Sequence, residues 1–118
     1  MPVRMPLEWE EQVLVREALA YMGRRLFDPR DTGPAGELED WLDAALTRGS
    51  ERAAIELPLR EAHVRVLRRV FAAYAEALDH PSAAEENRAR VRRLQQLERR
   101  LAGRSHWLGR LVRWLRGS

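Results

Sequence analysis

Residues 59–78 read LREAHVRVLRRVFAAYAEAL, and their spacing decides the fold class. Leu59, Ala62, Val66, Leu67, Val70, Phe71, Tyr74, Ala77 and Leu78 recur at helical intervals and span the widest apolar arc in the chain. An arc that broad needs neighbours on more than one side, so this segment is expected to be the central helix of a bundle.

Upstream, Ile55, Leu57 and Leu59 alternate at period two with Pro58 between them, which reads as one short extended piece confined to a sheet edge. Before it, Leu38, Trp41, Leu42, Ala45 and Leu46 share one face of a short helix. That helix has Glu37, Glu39, Asp40 and Asp43 in its first turns, where the helix dipole favours negative charge, and it ends at Gly49. Asp28 to Gly36 is dense in turn formers and reads as a loop. The first helix is expected from about Leu7 to Phe27, with Pro6 in its first turn. Leu14, Val15, Ala18, Leu19, Met22 and Leu26 form its main stripe, and Trp9, Val13, Ala20 and Phe27 form a second on another side.

Downstream, His80-Pro81 stops the central helix, and Ser82 to Glu85 is a capping box for the next. Ala84, Val91, Leu94, Leu97 and Leu101 make a narrow stripe on that fourth helix. Gly103-Arg104-Ser105 leaves open whether it continues or restarts as a fifth helix to Arg116. No internal repeat stands out. The expectation is an all-α single domain over residues 1–118, a bundle of four to five helices with at most one short extended segment near residues 55–59.

Composition narrows the function classes. The 118 residues contain no cysteine, which excludes disulfides, thiolate metal sites and a cysteine nucleophile. The longest apolar run, Val70 to Ala75, is six residues, far short of the roughly 20 that span a bilayer. The first residues are acidic where a signal peptide is basic and apolar, so a cytoplasmic location is expected. All 21 basic residues are arginine, and there is no lysine, so part of the pI near 10.4 records codon bias toward arginine. Charge is polarised: residues 1–81 carry 11 Arg and 15 acids, net −4, and residues 82–118 carry 10 Arg and 3 Glu, net +7. Such asymmetry calls for a polyanionic partner or an acidic surface in the same chain or a twin.

Catalytic chemistry finds little support. Ser50, Ser82 and Ser105 stand at helix starts, where a capping hydroxyl is the ordinary role. His63, His80 and His106 have no metal-ligand spacing, and no glycine-rich phosphate loop follows a strand. The pair Glu39 and Asp43 reads as solvated acids at a helix start. His63 alone sits mid-face on the central helix, where a hydrogen-bonded core histidine is the commoner role. A helix-turn-helix around Gly49 fails, because Arg48 falls on an apolar position and Pro58 interrupts the recognition helix. No catalytic residue, metal, cofactor or small-molecule substrate is expected.

Two constellations remain. Arg88, Arg92, Arg93, Arg99 and Arg100 project within about 140° of one another on the fourth helix, a face for an acidic protein surface or, alternatively, for nucleic-acid phosphates. No aromatic residue is interleaved to stack bases. In the terminal segment Trp107, Leu108, Leu111, Val112, Trp114 and Leu115 oppose Arg110, Arg113 and Arg116. Together with Trp9, Val13 and Phe27, the residues Trp107, Leu111 and Trp114 form a docking or oligomer surface, since two stripes on the first helix exceed one contact. A membrane role is disfavoured because this segment offers few anchors. The expectation is a non-catalytic interaction module, homodimeric, whose Arg-rich third meets an acidic partner, with a nucleic-acid accessory protein as the alternative.

Overall fold

The computed structural model describes residues 3–23, 25, 28–48, 53–80, 82 and 84–117, with side chains as far as Ala102. The chain runs β1 (Val3–Leu7), α1 (Trp9–Gly23), α2 (Pro29–Thr47), β2 (Ile55–Leu59), α3 (Glu61–Leu78) and α4 (Glu85–Gly117). The fold is a small, mostly helical domain with, among the described residues, four helices and one two-stranded sheet. α3 is central: it packs on α4, α1 and α2, while α1 also packs on α2 and α4.

The expected single extended piece has a partner. Residues 3–7 form a second strand, antiparallel to β2, with Val3 opposite Leu59, Met5 opposite Leu57 and Leu7 opposite Ile55. Pro6 therefore lies in β1 rather than in a helical first turn, and α1 starts at Trp9. Leu59 likewise belongs to β2, and α3 begins at Glu61. Period two was visible at Val3, Met5 and Leu7, but five residues with a proline are a weak signal until a second strand is alongside. Met5, Leu7, Leu57 and Leu59 are all buried under the helices, and Arg4, Pro6, Glu56 and Pro58 face out. Both prolines fall in the same class of ladder pair, the one in which a missing N–H points away from the partner strand. They blunt both edges of the ribbon against a third strand. Gln12, buried on α1, ties the ribbon down: its Nε2 donates to the carbonyls of Leu7 at 3.2 Å and Ala53 at 2.8 Å.

Residues 29–36 are helix, not loop. Asp28 is the N-cap and accepts from the Arg30 N–H at 2.9 Å, and Pro29 takes the first position, where no N–H is needed. The cap holds Asp28 below the usual carboxylate range, chiefly through its hydrogen bonds from Arg30. Asp31 and Ala35 are buried, and Asp31 receives Arg69 at 3.1 Å and Arg65 at 3.4 Å from α3. That tertiary contact overrides the poor helix propensity of Gly33, Pro34 and Gly36. The expected capping box at Ser82 is also replaced: Ser82 Oγ pairs with His80 Nδ1 at 2.8 Å, and α4 starts at Glu85. α4 is one uninterrupted helix through Gly117, so residues 103–116 continue it and do not restart as a fifth helix.

Against the expectation of no internal repeat, the chain contains one. The run Val3-x-Met5-Pro6-Leu7 recurs 52 positions later as Ile55-x-Leu57-Pro58-Leu59, with the same alternation of burial. The match continues into the helices: Leu14, Val15, Ala18 and Leu19 correspond to Val66, Leu67, Val70 and Phe71, and all eight are buried. In the second helix of each half, Ala35, Leu38 and Leu42 correspond to Leu94, Leu97 and Leu101, also buried. The strand register is centred on Met5 and Leu57, equivalent positions of the two repeats. The molecule is thus two β-α-α halves related by a pseudo-two-fold axis through the ribbon, sharing one core.

Candidate functional site

The charged side chains gather on two seams where the halves meet, α1 against α4 and α2 against α3. On the first, Glu8 is the N-cap of α1, and its N–H donates to Glu11 Oε1 at 3.0 Å. Glu11 is 2% exposed, and its Oε2, with no hydrogen bond, faces Arg100 at 3.3 Å and Arg93 at 3.9 Å. Arg93 also reaches Glu8 at 3.6 Å, and one helical stretch away Arg90 meets Glu17 at 3.5 Å. The arginines are 40–45% exposed, so their pairs with Glu8 and Glu17 each contribute only about 0.2–1 kcal/mol.

The second seam repeats this geometry. The Arg60 N–H at the N-cap of α3 donates to His63 Nδ1 at 3.0 Å, the same position that Glu11 occupies on α1. His63 is 1% exposed, its Nε2 lies 3.6 Å from Glu37 Oε2 on α2, and its ring centroid is 5.0 Å from that of Trp41. Because Nδ1 accepts, the neutral ring carries its proton on Nε2, toward Glu37. Burial holds the His63 pKa below its ordinary value; Glu37 opposes the shift and Arg60 adds to it. Glu37 is shared with Arg60 at 3.2 Å. The buried imidazole thus lies between a carboxylate and an indole, with almost none of its surface open to solvent. Among the described residues no group of three or more acids and histidines is placed to hold a metal ion.

Of the five arginines expected to meet a polyanion or acidic partner, Arg93 and Arg100 are engaged by Glu8 and Glu11 of the same chain. Arg88 and Arg92 pair locally with Glu85 at 3.8 and 3.0 Å, and Arg99 donates to the Gln95 carbonyl at 3.3 Å. These three remain exposed. The acids at the start of α2 are taken elsewhere: Asp43 binds Arg16 at 2.6 Å, which raises the arginine pKa, and Glu37 serves Arg60 and His63. The −4 and +7 parts are therefore compensated in part within one chain.

Trp9 and Val13, expected on a docking surface, are half-buried and line a groove of about 280 Å³ between α1 and α4 with Leu14, Ala89 and the rim residues Glu17 and Arg90. Phe27 and the side chains of Trp107, Leu111 and Trp114 lie outside the described residues. Sequence reasoning missed Glu11, Asp31, Arg65 and Arg69. The i, i+4 pair Arg65 and Arg69 was the available signal, but its partner Asp31 sat in a segment read as loop. No family model, curated protein or solved structure matches the chain.

Proposed function

We propose that the protein is a non-catalytic interaction module, homodimeric, that docks through the C-terminal part of α4 and offers the exposed arginines Arg88, Arg92 and Arg99 to an acidic protein surface. The observation that carries this reading is the length of α4. Arg68 meets Glu98, and Phe71 and Ala75 line a groove with Val91 and Leu94, so α3 and α4 run antiparallel, with Glu61 level with about residue 105. α4 continues to Gly117, some 12 residues or about 18 Å past the start of α3. Its 33 residues, about 50 Å of helix, match the longest molecular dimension of 51 Å.

The sequence of that overhang has one face of Trp107, Leu111 and Trp114 and another of Arg110, Arg113 and Arg116. An apolar stripe on a projecting helix is the pattern that pairs with a second helix, and a two-fold pairing of two copies is the simplest closed solution. Arg88, Arg92 and Arg99 then line the outer face of the same helix for an acidic partner. Light scattering at micromolar concentration tests the dimer: the wild-type chain is expected at twice 13.7 kDa and W107E/W114E at one chain mass. A wild-type monomer rejects the homodimer. Salt-sensitive retention of duplex DNA, lost in R88E/R92E/R99E, would replace the acidic-protein reading by the nucleic-acid one.

A further inference from the structure

The repeat and the seams together say something about recognition that neither says alone. At several seam positions, equivalent residues of the two halves carry opposite charge. Glu17 on α1 corresponds to Arg69 on α3, and Asp31 on α2 corresponds to Arg90 on α4. The observed contacts are Glu17 with Arg90 at 3.5 Å and Arg69 with Asp31 at 3.1 Å, so one symmetric contact is made twice with its polarity reversed. At the N-cap level the equivalent positions Glu8 and Arg60 again carry opposite charge and meet opposite charges, Arg93 and Glu37, at different positions of α4 and α2. At the buried level Glu11 faces Arg100, and its equivalent His63 faces Trp41, the counterpart of Arg100.

Like pairings are thereby disfavoured. Two copies of the first half would set Glu17 against Asp31 and the buried Glu11 carboxylate against an indole. Two copies of the second would set Arg69 against Arg90 and His63 against Arg100. The charge totals follow the same division, since residues 1–52 carry seven arginines and eleven acids, net −4, and residues 53–118 fourteen and seven, net +7. We infer that the chain is a fused heterotypic pair, in which each β-α-α half is the specific binding partner of the other and is built to refuse its own kind. The apolar ribbon and core provide adhesion common to all pairings, and the reversed charges provide the choice among them.

The test uses the whole protein with a specific protease site placed between Arg48 and Ala53, folded first and cut afterwards. The two pieces are expected to stay together one to one. When cut protein with a mass-tagged first half is mixed with excess untagged second half, native mass spectrometry is expected to show heterotypic pairs favoured at least about thirtyfold at low salt, falling at 0.5 M salt as exposed charges are screened. Glu17→Arg makes that position of the first half complementary to its own Asp31, so first-half homodimers are expected to appear in the cut protein. In the uncut chain, E17R is expected to lower the melting temperature and E17R/R90E to recover it. The inference is overturned if the cut pieces separate without recombining, if the first half pairs with itself as readily as with the second, or if R90E fails to rescue E17R.

Discussion

The side chain at position 63 shows how one residue type sets a pH response. Its Nδ1 accepts the capping N–H of α3, so a proton there abolishes the cap and places a cation beside Arg60, with Glu37 alone in opposition. Because burial depresses the folded-state pKa, the unfolded chain binds the proton more readily between the two values. The contribution is complete above the ordinary histidine value of 6.5 and is lost as pH falls through it toward the folded value. Urea midpoints measured from pH 7.5 to 5 are expected to fall more steeply for wild type than for His63→Gln, whose amide oxygen can keep the cap without titrating. The difference is bounded by about 1.4 kcal/mol per pH unit. Parallel curves for the two proteins would remove His63 from the account. Position 63 was visible in the sequence as a histidine on an apolar face, but the backbone donor it accepts from became legible only once α3 was seen to start at Glu61.

At the scale of the element, α2 is the instructive case. Its first two turns contain Thr32, Gly33, Pro34 and Gly36, a composition that argues for a loop, yet they are helical from Pro29. Pro34 has no N–H for the Arg30 carbonyl, and each glycine carries extra backbone entropy into the helix. An added Cβ at Gly33 or Gly36 meets no atom within 4 Å. Gly33→Ala and Gly36→Ala are each expected to stabilise the fold by about 0.5–1 kcal/mol, read as a higher urea midpoint at unchanged slope. Destabilisation by either would mean that these turns are not helical in solution. The opposite lesson comes from α3, whose apolar arc alone predicted its place, because eight residues at one period, Leu59 alone of the arc falling in β2, outweigh any local ambiguity.

For the molecule as a whole, the question is whether two halves behave as one cooperative unit. Leu38 and Leu97 are equivalent, each 0% exposed, and lie in different halves of a single core. Leu38→Ala and Leu97→Ala are each expected to cost about 2–5 kcal/mol and to lower one shared transition, seen alike by circular dichroism and by tryptophan fluorescence. A two-step melt in either variant would show that the halves fold separately. The central helix, the narrow stripe of α4 and the chain's charge asymmetry were all written in residue periodicity and composition, because such patterns record which face of a local element must leave water. The pairing of residues 3–7 with 55–59, the helicity of residues 29–36 and the partners of Arg93, Arg100 and Asp31 depended on the tertiary structure. Each is a contact between positions far apart in the chain, and short segments with weak intrinsic preference take their conformation from whatever packs against them.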